Sequence, residues 1–394
     1  MTIPSSILTL ARREDGPLYI YDLAVLHDRL RLLNGLPIAR KRIHFATMAN
    51  DHPRILSLIG AAGHGVFVNS LTHLTAARDA DLAPHRIIFA ASNMSRDEME
   101  ACLAAGVHVI LDSLGQVEAF DAIASRGTAV GVRVNVGSAV ESAELCDEPS
   151  YRFGLLPEEL AVVLGKVRNL RIVGVHSYFG TDIMAPKVLL DGLERLGRIG
   201  ELLPELEYVD AGGGFGIADD PSTPPFDLAA YGRGAADIMA ALETRVNRPV
   251  TLVIEPGRWL TAPIGWFFVR IVDVKERADR VFAGTNASVA QFPRLLMYPE
   301  QARHPCEVVD ASDRPVSTRP VWISGNSTYS RDFLARGVRL AVPRPGDLVA
   351  FHHAGAYCRS MLTRFLGKNQ PGEIVLDTSA KRIGSAPALA EAAE

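Results

Sequence analysis

Short apolar runs alternate with longer amphipathic stretches throughout residues 43–259, and this alternation constrains the fold more than any other feature. Continuous apolar strands separated by helices are typical of a parallel sheet that is buried on both faces. Eight such runs predict a (β/α)8 barrel, with an open α/β sheet as the alternative. The predicted strands cover residues 43–48, 65–68, 87–91, 107–111, 129–136, 172–178, 208–210 and 250–255.

The alternation ends near residue 266, where short strand-like runs follow without long helices between them. Pro-Gly pairs at 345–346 and 371–372 mark turns in this part of the chain. We therefore expect a β domain after the barrel. The predicted organisation is an N-terminal strand within residues 1–24 that joins the β domain, a barrel over 25–268, a β domain over 269–385 and a disordered tail over 386–394.

Composition and charge exclude several kinds of partner. The net charge of −4 and the pI of about 6.3 offer no basic surface to nucleic acid. No apolar run is long enough for a membrane span, and the N-terminus lacks the pattern of a signal peptide. The four cysteines are far apart and form no C-x-x-C pair, so neither a metal site nor a disulfide framework is predicted. We expect a cytoplasmic protein.

Polar residues stand at the ends of the last three predicted barrel strands, where parallel barrels place their functional groups. His176 and Ser177 stand at the end of the sixth strand. An imidazole there can stack on a flat ring or move protons near neutral pH, or it can be a hydrogen-bonded core side chain. The residue type alone does not decide between these interpretations.

A glycine-rich turn and a carboxylate beside an arginine follow the seventh and eighth strands. The glycines Gly212–Gly214 can wrap a phosphate with their N–H groups, or they can form a plain tight turn. Glu255 and Arg258 either form a salt bridge or hold a protonated ring nitrogen and, with Gly257, a phosphate. Pyridoxal 5'-phosphate (PLP) fits all of these sites. A nicotinamide dinucleotide does not, since no G-x-G-x-x-G follows an early strand.

Taken together, the motifs resemble those of the alanine racemase-like (fold type III) PLP enzymes, on the branch of diaminopimelate and ornithine decarboxylases. The motifs that carry the resemblance are Pro-Leu-Tyr-Ile-Tyr-Asp at 17–22, Phe-Ala-x-x-Ala-Asn at 45–50, Arg-Phe-Gly at 152–154, His-Ser at 176–177, Asp-x-Gly-Gly-Gly-Phe-Gly at 210–216, Glu-Pro-Gly-Arg at 255–258 and Gly-Ala-Tyr-x-x-Ser-Met at 355–361.

The resemblance implies a PLP barrel, a β domain and a homodimer whose active sites are shared across the interface. It implies that His176 stacks on the cofactor ring, with Ser177 beside it, and that Glu255 pairs with the ring nitrogen. It also implies that the glycine turn, Arg258 and Tyr357 serve the phosphate. The substrate would be a small amine or amino acid.

The first departure from the family pattern is at Met48. The family motif is Phe-Ala-x-Lys-Ala-Asn, and its lysine forms the Schiff base with PLP; here methionine stands in that place. A thioether cannot form an imine or donate a proton, so we expect PLP to be bound non-covalently. Lys41 is predicted at the opposite end of the same strand. Lys368 is the one substitute that we retain.

The second departure concerns Thr328 and Tyr329. The family often has a cysteine that protonates the reaction product there, followed by an acidic residue that recognises the substrate's distal amine. A threonine hydroxyl is a far weaker acid than a thiol, and a tyrosine in place of a carboxylate argues against a simple diamino acid as substrate. Cys358 is an alternative proton donor. These changes accompany Met48 and favour natural divergence over an engineered methionine.

Three functions remain open. The first is a PLP-binding decarboxylase-type protein that lacks the usual lysine and acts on an amino acid, or an amino-acid-derived intermediate, of specialised metabolism. The second is a catalytically inactive homologue with a binding or partner role, including dimerisation with an active paralogue. The third is a PLP-independent enzyme that uses His176 and Glu255 as acid and base.

Overall fold

The computed structural model describes residues 2–136, 152–219, 222–299 and 302–379. The strands in these ranges are β1 (Leu18–Asp22), β2 (Lys41–Ala46), β3 (Gly65–Val68), β4 (Ile87–Ala90), β5 (His108–Leu111), β6 (Thr128–Arg133), β7 (Leu170–His176), β8 (Tyr208–Asp210), β9 (Thr251–Ile254), β10 (Gly265–Glu276), β11 (Val281–Thr285), β12 (Cys306–Val308), β13 (Val321–Ser324), β14 (Phe333–Val338), β15 (Leu348–Phe351) and β16 (Gly372–Leu376). The α-helices are α1 (Ser5–Arg13), α2 (Leu23–Asn34), α3 (Pro53–Ala61), α4 (Leu71–Asp79), α5 (Arg96–Ala105), α6 (Leu114–Asp121), α7 (Pro157–Lys166), α8 (Pro186–Gly200), α9 (Leu228–Val246), α10 (Arg258–Thr261) and α11 (Arg294–Met297).

The chain divides into two compact units. The barrel unit comprises residues 30–217 and 225–259, and the sheet unit comprises residues 1–29, 218–224 and 260–394. None of the helices in the described ranges combines the length and the apolar character needed to cross a membrane.

The eight strands β2–β9 form a closed parallel barrel. Closure is visible at β2, which pairs with β3 on one side and with β9 on the other. Alternate side chains of each strand point into the barrel, where Ile88, Ile110, Tyr208 and Val253 belong to one apolar cluster. The predicted (β/α)8 barrel is therefore confirmed, and the open sheet is excluded.

The first barrel strand ends earlier than predicted. It was expected over residues 43–48, but β2 spans Lys41–Ala46, and residues Thr47–Ala49 form a 3-10 turn. The Thr47 hydroxyl donates to the Phe67 carbonyl at 2.9 Å, which anchors the turn on β3. The apolar run in the sequence continues through this turn, and hydrophobic periodicity alone cannot place the end of a strand.

The sheet unit contains an eight-stranded, mixed sheet, in agreement with the expected β domain. Strand β1 pairs antiparallel with β10 and parallel with β16. Strand β10 spans Gly265–Glu276 and so crosses residue 268, where the sequence places a domain boundary. The three predicted boundaries stay predictions. Helix α1 was not among the predicted elements, and its Ile7 and Ala11 pack against this sheet. The predicted tail at 386–394 lies outside the described residues.

Candidate active site

Three polar side chains converge at the rim formed by the carboxyl ends of the barrel strands. His176 is the last residue of β7, Asp210 is the last residue of β8, and Glu255 follows β9 directly. Each is at least nine-tenths buried. One nitrogen or oxygen atom from each lies within 4.8 Å of the others, and His176 Nε2 lies 3.5 Å from Glu255 Oε2. The strand ends that the sequence singled out therefore meet at one place, which we call the rim triad.

Burial controls the protonation of the rim triad. Desolvation lowers the pKa of His176 to about 4, so the imidazole is neutral at neutral pH. Desolvation raises the pKa of Glu255 to about 8, although Asp210 and then Arg133 act in the opposite direction. Desolvation, followed by the charge of Glu255, raises the pKa of Asp210 well above its ordinary value. Two buried carboxyl groups this close compete for one proton, so a cation placed beside them would favour the ionised form of both.

The rim triad also has unsatisfied polar atoms. Among the described residues, Nδ1 of His176 has no hydrogen-bond partner, and no donor serves Oδ2 of Asp210 or Oε1 of Glu255 when both carboxyls are ionised. A buried polar atom without a partner costs about 1–3 kcal/mol. A protonated ring nitrogen would supply the missing donor and the missing positive charge. These residues therefore fit the pyridinium end of PLP.

A flat aromatic environment surrounds the histidine. The ring of Phe67, in β3, lies 5.9 Å from the ring of His176 at an interplanar angle of 21°. The two rings are stacked, which holds the imidazole in one orientation. Phe67 was not predicted as a site residue, because a phenylalanine within an apolar strand carries no polar signal.

The glycine turn after β8 packs closely against its neighbours. The N–H of Gly212 donates to Oδ1 of Asp210 at 2.9 Å. A Cβ atom at Gly213 would lie 2.5 Å from the carbonyl oxygen of Glu255. At Gly214, where φ is +95°, a Cβ atom would lie 2.5 Å from the carbonyl oxygen of Gly180. Only glycine fits at these positions, and the resulting bare backbone can form an anion-binding concavity.

Arg258 is tied to the same turn through one loop. It is the first residue of α10, it is buried, and its Nε lies 3.1 Å from Oδ2 of Asp182. The next residue, Ile183, donates its N–H to the carbonyl of Gly214 at 2.9 Å. The loop after β7 thus connects the guanidinium group to the glycine turn. A guanidinium group near a glycine turn whose backbone carries no side chains is suited to a phosphate.

A second ion pair at the rim was missed by sequence reasoning. Nη1 of Arg133, the last residue of β6, lies 3.5 Å from Oδ1 of Asp112, which follows β5. The hydroxyl of Ser92 donates to the other oxygen of Asp112 at 2.8 Å. The fifth predicted run was expected to continue to residue 136, which placed Arg133 within a strand and hid its position at a strand end. Arg133 and Asp112 both stand at the carboxyl ends of barrel strands, so a search for charged residues at those positions would have found them.

Met48 stands at this rim, in the 3-10 turn after β2. The two residues before Met48 are anchored to neighbouring parts of the rim. The hydroxyl of Thr47 bonds to β3, and the N–H of Ala46 donates to the carbonyl of Pro256 at 3.4 Å. The side chain is half-buried. Its backbone position therefore places it between strand ends that carry Phe67 and Glu255.

The remaining predicted residues belong to the sheet unit. Thr328 is exposed, and Tyr329 packs edge-on against Phe365 with ring centroids 5.4 Å apart. Lys368 donates to the carbonyl of Asn326 at 3.3 Å, so it lies beside the loop that carries Thr328 and Tyr329.

Tyr357 and Cys358 share another loop of the sheet unit. Tyr357 adopts a left-handed conformation with φ of +54°. The Cys358 thiol is fully buried, donates to the carbonyl of Ala356 at 3.3 Å and lies 3.9 Å from Nε2 of His304. Its burial weighs against a role as the substitute proton donor.

A closed (β/α)8 barrel whose rim combines a neutral histidine, a buried carboxyl pair and a glycine cradle defines a PLP-type barrel protein. Residues 25–262 match the family model described as "Pyridoxal-dependent decarboxylase, pyridoxal binding domain". Because the match covers more than half of the chain, the protein belongs to the pyridoxal-dependent decarboxylase family, whose cofactor is PLP. The sequence resemblance to this family is thereby confirmed.

Curated relatives and solved structures agree with this assignment. The chain is 30% identical over 372 residues to the diaminopimelate decarboxylase of Deinococcus radiodurans, covering 93% of this chain and 91% of that protein. It is 27% identical over 383 residues to the diaminopimelate decarboxylase of Methanothermobacter thermautotrophicus, covering 93% and 88% of the two chains.

Among solved structures, the diaminopimelate decarboxylase of Helicobacter pylori complexed with L-lysine superposes with a TM-score of 0.85 at 22% identity, covering 95% and 94% of the two chains. The lysine/ornithine decarboxylase of Vibrio vulnificus complexed with cadaverine superposes with a TM-score of 0.82 at 20% identity, covering 96% and 98%. These likenesses show a shared fold.

Proposed function

We propose that this protein is a PLP-dependent decarboxylase that acts on an amino acid and holds its cofactor without a covalent bond. The observation that carries the proposal is that the buried rim triad, the glycine turn and Arg258 stand at the same barrel rim as the turn that holds Met48. In the sequence motif, Met48 stands at the position of the family's lysine. The flanking residues Phe45, Ala46, Ala49 and Asn50 support this correspondence. A site that no longer binds PLP would not be expected to retain the glycine turn and the buried carboxyl pair.

Bound PLP supplies an electron sink that favours loss of carbon dioxide from the α-carbon of an amino acid. The chain's own groups bind and orient it. Glu255 would accept the hydrogen bond of the ring nitrogen and, with Asp210 beside it, would stabilise positive charge there. His176 is neutral and can present its ring face without electrostatic cost. Arg258 and the glycine turn would hold the phosphate.

The methionine changes what the protein can do during turnover. A lysine at position 48 would attach the cofactor and would also move protons, whereas the thioether of Met48 does neither. With PLP bound, the chain would have to orient an incoming amine beside it without help from residue 48. A group other than Met48 would have to hold the proton that replaces carbon dioxide. Non-covalent docking makes the phosphate and ring contacts responsible for all of the cofactor affinity.

The substrate that we propose is an amino acid or an amino-acid-derived intermediate of specialised metabolism. Support comes from Tyr329, which stands where the family often has an acidic residue for a distal amine. A tyrosine there cannot supply the negative charge that an acidic residue would offer to a second ammonium group on the substrate. We further propose a homodimer with shared active sites, as the resemblance implies.

Release of labelled carbon dioxide tests the proposed activity. The PLP-loaded protein is incubated with a panel of carboxyl-labelled amino acids, with and without a distal amine. The expected result is release from at least one member without a distal amine, and loss of release in Glu255→Gln. The conservative Glu100→Gln, on the exposed face of α5, serves as the matched control. Release with free PLP at the same rate would contradict the proposal.

A cofactor-binding role without turnover is the second candidate. It is favoured by Met48 together with Thr328, since both positions replace groups that move protons in the family. PLP binding that depends on Glu255, without carbon dioxide release from any amino acid of the panel, would support this alternative.

A further inference from the structure

A cavity lies at the opposite end of the barrel strands from the rim triad. It has a volume of about 610 Å³. Its walls include the first residues of β2, the residue that precedes β3 and the residues just before β4. Its polar lining includes Lys41, Arg42, His44, His64, His85 and Arg86. All of its lining residues belong to the barrel unit.

The cavity has an uncompensated positive charge. Lys41, Arg42 and Arg86 line it, and no aspartate or glutamate is among its described lining residues. Lys41 donates to the carbonyl of Leu36 at 2.8 Å, and Arg86 donates to the carbonyl of Gly60 at 3.0 Å. These bonds position the cations without neutralising them.

Arg40, which lies outside the cavity, differs from the cavity's cations because its charge is paired. Arg40 precedes Lys41 in sequence, lies outside the cavity lining and pairs with Glu243 at 2.9 Å. The chain therefore does supply a carboxylate on this side of the barrel, and it serves Arg40. The cations of the cavity are left for another partner.

Two buried imidazoles complete the lining. His44 is 4% exposed and His64 is 9% exposed. Among the described residues, Nδ1 of His44 and Nε2 of His64 have no hydrogen-bond partner. A Cβ atom at Gly65 would lie 2.5 Å from Cδ2 of His44, so the glycine makes room for this imidazole. Unpaired buried nitrogen atoms of this kind call for a ligand.

Burial, together with the surrounding cations, keeps both imidazoles neutral. Burial, followed by the charge of Arg42, lowers the pKa of His44 to about 3. Burial, followed by the charges of Arg86 and Lys41, lowers the pKa of His64. Each ring can therefore donate one hydrogen bond without carrying a charge, while the cations supply the attraction.

We propose that this cavity binds the phosphate group of a small phosphorylated metabolite. Arginine offers a planar fork of N–H donors that matches phosphate oxygens, and lysine adds a point charge. The volume is that of a small-molecule site and exceeds what a single phosphate needs, so an organic portion also fits. The site is separate from the PLP site, since the two lie at opposite ends of the barrel strands. The proposal does not depend on the decarboxylase activity.

Calorimetric titration of the PLP-loaded protein with inorganic phosphate, and separately with AMP, tests the proposal. Loading with PLP occupies the phosphate contacts at the rim, and low ionic strength preserves the attraction between charges. NMR spectra of protein with labelled histidine report the location, because His44 and His64 resonances move only if the anion enters this cavity. We expect saturable binding with shifts of both. Tighter binding of AMP would show that the organic portion is held as well.

Three variants localise the binding. Arg42→Gln and Arg86→Gln should each weaken binding roughly tenfold or more, the loss of one charge-assisted hydrogen bond. Arg248→Gln is the matched control, because Arg248 is exposed in the loop before β9 and does not line the cavity. It changes the net charge equally and should leave the affinity unchanged.

The possible outcomes are distinguishable. Equal weakening in all three variants, or binding without histidine shifts, would show only diffuse attraction and would overturn the proposal. Failure of both probes to bind saturably would also overturn the proposal. Arg258→Gln separates this site from the rim, since it should weaken PLP retention and leave phosphate binding at the cavity intact. Circular dichroism confirms that each variant is folded.

Discussion

The burial of the Glu255 carboxyl predicts how the free energy of unfolding depends on pH. Its pKa is raised by desolvation from an ordinary value of 4.5 to about 8. A carboxyl whose pKa is higher in the folded state gives its full stabilisation below pH 4.5 and loses it as the pH rises to 8. At about 1.4 kcal/mol per pH unit, this amounts to roughly 5 kcal/mol as an upper bound. The bound is not reached if Asp210 retains a proton after Glu255 has lost its own.

The assay is urea unfolding of the cofactor-free protein at pH 5, 6.5 and 8, compared with Glu255→Gln. We expect the free energy of unfolding to fall by several kcal/mol more in the unaltered protein than in the variant over this range. Adding PLP should flatten the dependence, because a cationic ring nitrogen favours the ionised carboxyl. Glu100→Gln, which alters an exposed carboxyl, should keep the dependence of the unaltered protein.

Identical pH dependence in the unaltered protein and in Glu255→Gln would refute this reasoning. It would mean that Glu255 ionises without a desolvation cost, and the buried carboxyl pair would lose its role as a receptor for positive charge.

Two further predictions concern single residues of the rim. Gly213→Ala should weaken PLP binding by at least about tenfold, because the added Cβ would lie 2.5 Å from the carbonyl oxygen of Glu255. Gly115→Ala is the control and should leave the affinity unchanged, because its Cβ would have no atom within 4 Å. Equilibrium dialysis measures the PLP affinity of both variants. Arg133→Gln should raise the pKa of His176, because the guanidinium charge lowers it. An NMR titration of the imidazole checks this, and an unchanged or lower pKa would contradict the assigned electrostatics.

The barrel was predictable because its signal is repeated. Eight apolar runs with helices between them leave few alternatives, and each strand end then points to one rim. His176, the glycine turn and Glu255 could be found in this way, since each follows its strand directly. Their convergence into one buried triad required the strand register, which the sequence does not specify.

The parts that could not be predicted depend on element ends and on apolar contacts. Arg133 was hidden because the apolar pattern of the fifth predicted run continues beyond it. Phe67 was hidden because stacking on an imidazole has no sequence pattern. Met48 was placed in a strand, although the hydrogen bond of Thr47 to β3 turns the chain there. The basic cavity escaped notice because its residues start different elements and meet only in the closed barrel.

We propose that PLP is held at the rim without a covalent bond, because Met48 stands at the position of the family's lysine. The most direct measurement is mass spectrometry after borohydride reduction of the PLP-loaded protein and of Met48→Lys, with Met48→Leu as the size-matched control. We expect PLP to be retained on dialysis by all three proteins but to become covalently fixed only in Met48→Lys, at position 48. Fixation at Lys368 in the unaltered protein, or no fixation in Met48→Lys despite retained PLP, would contradict the account.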